Sequence, residues 1–163
     1  MNIAIRKMHF EDTKQVQKIA KTTWNATYEG IIPLEVQNRF LEFNYSDESL
    51  KQRMERSILY VAEVDGEVVG FANYSPVRDG GKVELSAIYV YPEFQGKGIG
   101  TALLQQAMKE LDGIKEIYVN VEKDNKTGMN FYEAKGFEII KEFHDEFDGH
   151  IFKQVRMVKT MKS

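Results

Sequence analysis

The period of apolar and polar positions changes repeatedly along the chain, and each change marks an element. Residues 2–7, Asn-Ile-Ala-Ile-Arg-Lys, alternate as a strand does. Val16, Ile19, Ala20 and Thr23 then recur at helical spacing, which predicts an amphipathic helix over about 11–23. Glu11 and Asp12 stand at its start, where the helix dipole favours acids. Trp24, Tyr28, Gly30, Ile31, Ile32 and Pro33 read as an aromatic–glycine–proline turn. Pro33 suits the first turn of a second helix with Val36, Phe40, Leu41 and Phe43 apolar. Ser46 is placed to cap a third helix, from Asp47 to about Arg56.

The period then falls to two. Ile58–Val64 and Glu67–Tyr74 flank Asp65-Gly66, a strong two-residue hairpin signal. A second turn, Arg78–Lys82, leads into the apolar, β-branched and aromatic run Leu85–Tyr91, which Pro92 ends. Strands two to four therefore read as an antiparallel meander. Ile99, Leu103, Leu104, Ala107, Met108 and Leu111 form one face of a helix that stops near Asp112-Gly113. Glu116–Val121 is the fifth strand, and the strand–helix–strand order makes strands four and five parallel. Asp124-Asn125-Lys126 reads as a loop and Thr127 as the cap of a short helix ending at Lys135-Gly136. Phe137–Phe143 and Ile151–Lys159 read as a last hairpin, with Glu142, Asp145, Glu146 and Asp148 in an acidic connection. Residues 1–163 show no repeat and no linker, which predicts one domain.

Composition narrows the chemistry. The chain is 42% hydrophobic and 29% charged, with a net charge of −3 and no basic run, so nucleic acid is not expected as a partner. The absence of cysteine excludes disulfides, thiolate metal sites and a cysteine nucleophile. The three histidines, His9, His144 and His150, lack metal-site spacing, so no metal is expected. Met1 leads directly into a strand pattern, and no apolar run reaches membrane-spanning length. The expectation is a cytoplasmic protein without membrane contact.

The most informative stretch joins strand four to the following helix: Gln95-Gly96-Lys97-Gly98-Ile99-Gly100-Thr101. Glycines let a ligand approach the backbone, and free N–H groups with the helix dipole favour an anion. The spacing is neither that of a P-loop nor that of the dinucleotide fingerprint. Phosphate or pyrophosphate is the expected ligand.

This motif resembles the Q/R-x-x-G-x-G/A signature of the GCN5-related N-acetyltransferases (GNAT). Ile88-Tyr-Val-Tyr-Pro92 before it, and Asn125 with Asn130-Phe-Tyr-Glu-Ala-Lys-Gly-Phe137 after it, are similar to that family too. Trp24-Asn-Ala-Thr-Tyr28 and Gly30-Ile-Ile-Pro33 resemble a bacterial subgroup that includes polyamine N-acetyltransferases. The resemblance implies an α/β (α+β) GNAT fold. Its sheet is mixed and mostly antiparallel, strands four and five are parallel and splayed, and helices cover both faces. It implies acetyl transfer from acetyl-CoA to a primary amine of a small molecule, with polyamines as the candidate acceptors, by direct attack in a ternary complex. Acetylation of a protein N-terminus or lysine, and a non-catalytic acyl-CoA-binding module, are the alternatives. Homodimers are common in the family.

Residue by residue, the resemblance implies that backbone groups of Ile88, Tyr89 and Val90 pair with the pantetheine. Gln95, Gly96, Lys97, Gly98, Ile99, Gly100 and Thr101 would wrap the pyrophosphate. Asn125 and Asn130 would assist along the cofactor arm. Tyr132 aligns with the family's proton donor to the departing thiolate; a packed helix aromatic is the competing reading. Glu84 sits at the offset of a glutamate used as base in some members, and a strand-edge surface Glu competes with that role. Trp24 and Tyr28 lie where the family places acceptor-side walls, although ordinary packing on the sheet also accounts for Trp24. The acids between Glu142 and Asp148 border the acceptor side in this fold, where they would attract a cation or simply be solvated.

Overall fold

The computed structural model describes residues 1–161. A seven-stranded sheet carries the order β1-β2-β3-β4-β5-β7-β6, with β1 (Ile3–Lys7), β2 (Ile58–Val64), β3 (Glu67–Tyr74), β4 (Lys82–Val90), β5 (Glu116–Glu122), β6 (Glu138–Phe147) and β7 (His150–Thr160). Every neighbouring pair is antiparallel except β4–β5. The helices are α1 (Thr13–Tyr28), α2 (Leu34–Tyr45), α3 (Asp47–Arg56), α4 (Ile99–Glu110) and α5 (Lys126–Ala134). This is the expected mixed sheet. Among the described residues no helix is long and apolar enough to cross a membrane.

The two faces of the sheet are covered by different helices. Tyr74 on β3 donates from its hydroxyl to the Leu103 carbonyl of α4 at 3.1 Å. Three residues away on β3, Phe71 points to the opposite face and meets the Tyr45 ring of α2 with centroids 5.9 Å apart. On that same side Trp24 of α1 donates from Nε1 to the Tyr89 hydroxyl of β4 at 3.0 Å. Val16, Ile19 and Ala20 of α1 and Leu103, Leu104 and Ala107 of α4 are almost fully buried. Their helical spacing is the pattern that identified both helices.

Three expectations need correction. The first helix does not stop at Thr23. It continues to Tyr28, because Ala20, Trp24 and Tyr28 extend the same i, i+4 stripe onto the sheet, and Gly30 at φ +77° then turns the chain. The short helix α5 is capped by Asn125 rather than Thr127: the Asn125 side chain accepts from the Gly128 N–H at 2.9 Å. The acids Glu142, Asp145 and Glu146 lie within β6, not in a connection. The turn is Asp148-Gly149 alone, with φ of +53° and +78°, the same two-residue chemistry as Asp65-Gly66.

Candidate active site

The parallel pairing of β4 with β5 is short. It runs from Lys82↔Glu116 to Leu85↔Val119 and stops. Beyond it β4 follows β3, and a register shift opposite Asn73/Tyr74 leaves Ser86 as the extra residue of a bulge. β5 instead follows β7 as far as Glu122↔Gln154. The strands therefore splay, and a cavity of about 1230 Å³ opens between them, lined by Ser86–Val90 and Val119–Glu122 among others.

The hydrogen-bond alternation of the sheet decides which backbone groups face this gap. The Tyr91 N–H donates to the Val69 carbonyl at 3.0 Å, which makes Gly70/Val90 a non-hydrogen-bonded pair. By alternation the backbone of Tyr89 is directed at Phe71, while the amide groups of Ile88 and Val90 turn away from β3 into the gap. Ile88 and Val90 thus offer main-chain groups to a ligand. Tyr89 instead offers its side chain, within a cluster that includes Trp24 and Tyr45.

At one end of the cavity the glycine turn forms a cradle of open backbone N–H groups. Gln95 donates from Nε2 to the Val90 carbonyl at 3.1 Å and so ties the turn to the end of β4. Gly98, at φ +86°, is the N-terminal cap of α4, and no side chain caps that helix. The first in-helix bond there runs from the Ala102 N–H to the Gly98 carbonyl, so the preceding N–H groups remain available. Gly100 is needed for a different reason: a Cβ there would lie 3.0 Å from the Phe131 ring of α5. Gln95, Gly96, Gly98, Gly100 and Thr101 line the cavity; Lys97 and Ile99 do not. Ile99 is a core residue at the foot of α4, and the Lys97 ammonium stands over the Phe94 ring at 5.5 Å.

α5 closes the side of the cavity. Tyr132 is 7% exposed and packs edge-on against Phe131 and Phe137, with centroids at 5.4 and 5.3 Å. Burial raises its phenol well above the usual range, so the proton stays on oxygen at neutral pH. Asn125 and Asn130 line the same wall, Asn125 with its oxygen engaged by the helix cap.

The opposite end is walled by aromatic rings. Trp24 stacks on Phe40 of α2 at 4.0 Å, and Phe40 meets the edge of Phe147 of β6 at 5.4 Å. Tyr28 lies 4.7 Å from Trp24, and its hydroxyl is pushed up to about 12 by burial. Asp145 shares the sheet face of Phe147, and Glu122 of β5 lies on that face too, whereas Glu146, which also borders the cavity, alternates to the opposite face. An ion pair between Arg39 of α2 and Asp148 ties the hairpin tip to the helix that carries Phe40. Sequence reasoning missed Phe147, Phe152 and Glu122 as lining residues. A signal for Phe147 existed, since Asp145 and Phe147 continue the alternation of the strand read as ending at Phe143 into a stretch read as the connection.

Glu84, like Lys97 and Ile99, is an expected site residue that does not line the cavity. Its two carboxylate oxygens accept from both terminal nitrogens of Arg156 on β7, at 3.0 and 2.8 Å. Arg156 also donates to the Asn120 Oδ1 at 2.9 Å and lies over the Tyr118 ring at 4.8 Å. Glu84 therefore stands one layer behind Asn120, its charge already matched.

Comparison with known proteins agrees with this geometry. Residues 17–137 match the family model described as the acetyltransferase (GNAT) family. A spermidine N(1)-acetyltransferase of Thermoplasma acidophilum is 33% identical over 147 residues, covering 85% of this chain and 90% of that protein. An uncharacterized N-acetyltransferase of Bacillus subtilis, YuaI, is 31% identical over 158 residues, covering 94% and 90%. The crystal structure of PaiA N-acetyltransferase from Thermoplasma acidophilum in complex with coenzyme A superposes with a TM-score of 0.86 at 29% identity, covering 99% of this chain and all of that one. With a splayed parallel pair at its centre and a glycine cradle at the head of α4, the chain belongs to the GNAT family of acetyltransferases.

Proposed function

We propose that this acetyltransferase moves an acetyl group from acetyl-CoA to the primary amine of a small cationic molecule, with polyamines as the foremost class. The carrying observation is the composition of the acceptor end. Aromatic walls from Trp24, Tyr28, Phe40 and Phe147 stand on the sheet face that also carries Glu122 and Asp145, while the lysines of the cavity, Lys126 and Lys135, flank α5. Such a chamber suits an aliphatic chain bearing ammonium groups, because rings cover the methylenes and attract cations while carboxylates pair with the charges. The spermidine N(1)-acetyltransferase relative supports the same class.

The residues of the cofactor end fit coenzyme A. Open N–H groups from Gly98 to Thr101 match a pyrophosphate, and the backbone of Ile88 and Val90 matches the amides of a pantetheine arm. Acetyl-CoA supplies an activated thioester carbonyl. The β4 amides at the splay are positioned to donate to its oxygen as charge develops. Tyr132, protonated and buried beside the gap, gives its proton to the departing sulfur. Asn125 and Asn130 steady the arm. Trp24 and Tyr28 orient the acceptor. With no cysteine in the chain, transfer is direct, within a ternary complex.

The test is release of CoA thiol against a panel of polyamines, amino acids, aminoglycosides and peptides. Turnover of spermidine and spermine is expected. Turnover of peptides with inert polyamines would replace this reading by protein acetylation. Acetyl-CoA binding without turnover of any acceptor would make the chain a binding module.

A further inference from the structure

Four carboxylates line the cavity: Glu122, Asp124, Asp145 and Glu146. Only Glu122 is buried, at 6% exposure. It is the last residue of β5, opposite Gln154 of β7, and the register places it on the face covered by α1 and α2, in line with Asn120 and Arg156. Among the described residues no lysine, arginine or histidine nitrogen pairs with it. Its polar neighbours are the Asp124 N–H, which donates to Oε1 at 3.4 Å, and the Lys153 backbone N–H. A carboxylate that is buried, aimed at a cavity and without a counter-ion is costly to maintain for packing alone. The contrast with Glu84 is direct: that acid has the sequence offset of a base but both its oxygens are held by Arg156.

We infer that Glu122 receives the substrate ammonium as its missing counter-ion and then takes its proton, making it the general base of the transfer. This rests on the amine-acetyltransferase reading above. An exposed carboxyl is a poor acceptor for a proton held by an alkylamine with a pKa of about 10. Burial narrows that gap from both sides, because lost hydration raises the carboxyl and lowers the ammonium. Desolvation does raise the Glu122 carboxyl above its usual range. Asp124 pushes it further up, while His150 and the two backbone donors oppose, and the neutral Tyr28 hydroxyl faces the same charge.

The step balances. Glu122 takes one proton from the ammonium, and the freed electron pair forms the N–C bond. The C–S bond breaks as Tyr132 gives its phenolic proton to sulfur. The second proton lost by nitrogen restores Tyr132, and the proton on Glu122 passes to solvent. The products are an N-alkylacetamide, CoA thiol and one proton.

Spermidine is the probe. For the wild type, kcat/KM should form a plateau between the raised carboxyl pKa and the amine pKa, because the reactive pair is ionised carboxylate plus ammonium. Glu122→Gln should lower kcat/KM near neutrality by about 10²-fold and abolish the plateau. Its rate should instead climb about tenfold per pH unit with the fraction of free amine, up to about pH 10. Glu122→Asp keeps the charge with a shorter reach, so it should retain the acid limb at a reduced rate, which guards against a folding defect in the amide variant. Glu84→Gln should also keep that limb. A readout independent of turnover is carboxyl ¹³C NMR of glutamate-labelled protein. One resonance should titrate above the ordinary range, vanish in Glu122→Gln and move to lower pKa when spermidine is added. Polyamine turnover in Glu122→Gln within about threefold of wild type with an unchanged acid limb, or a resonance indifferent to spermidine, would overturn the assignment while leaving the amine reading standing. A wild type inert to every amine overturns both.

Discussion

The two ends of the cavity are built from different materials. The cofactor end is backbone: the gap-facing amides of Ile88 and Val90, and the uncapped N-terminus of α4 behind Gly98. The acceptor end is side chain, with contributors on α1, α2, β5, β6 and β7. A main-chain cradle reads only charge and spacing, so it serves one invariant ligand, while a wall of rings and acids can be re-shaped one residue at a time. On the function proposed above, the difference teaches where substrate identity would reside: in Trp24, Phe40, Glu122, Asp145 and Phe147, not in the glycine turn.

Substitutions that strike one end alone test that separation. The largest effect is expected at the junction. Tyr132→Phe should lower kcat by about 10²–10³-fold while acetyl-CoA affinity, measured by calorimetry, stays near wild type. Unchanged turnover would remove Tyr132 as the proton donor. Next comes the cradle. Gly98→Val forces a β-branched residue into a left-handed conformation at φ +86° and should weaken acetyl-CoA binding about 10-fold. Relative rates among amines should stay constant; a changed amine preference would mean that the two ends are not independent. In the chamber, Asp145→Asn should raise KM for spermidine by about threefold, less at high salt. A mono-amine of equal length should be affected less, and equal effects on both would sink the idea that this acid reads a second charge. The smallest effect is expected from Arg39→Ala, which releases an exposed ion pair at the hairpin tip. It should cost about 0.5 kcal/mol in urea unfolding and change KM less than twofold, since surface pairs contribute little.

The same division explains what was legible before the fold was known. Local chemistry could be read directly. Asp65-Gly66 announced a hairpin, Pro92 ended a strand, and Gln95–Thr101 announced the glycine turn into α4, because each depends on a few contiguous residues. Asn125 was expected beside the cofactor arm, and it lines the cavity, but it was not read as the cap of α5, since a three-residue side-chain bond competes with Thr127 as an equally good candidate. Asp148-Gly149 carried the same turn signal as Asp65-Gly66. The acids around it masked that signal, and the last four residues of β6, beyond Phe143, were read as part of the connection. Glu84 was singled out by its offset from Gln95, yet offset along a chain carries no information about Arg156, which lies 72 residues away.

The sequence by itself determined the element order, the parallel crossover between β4 and β5, and the glycine cradle, because hydrophobic period, turn residues and backbone freedom are properties of neighbours along the chain. Only the tertiary structure decided the fate of the acids. Glu84 and Glu122 lie on the same face of one sheet, Glu84 opposite Tyr118 and Glu122 four residues further along β5. One is neutralised by an arginine from β7, and the other is buried at the mouth of the splay with no cationic partner among the described residues. Charge pairing and desolvation depend on what the fold brings alongside, and in this protein those two terms separate a structural carboxylate from one free to act.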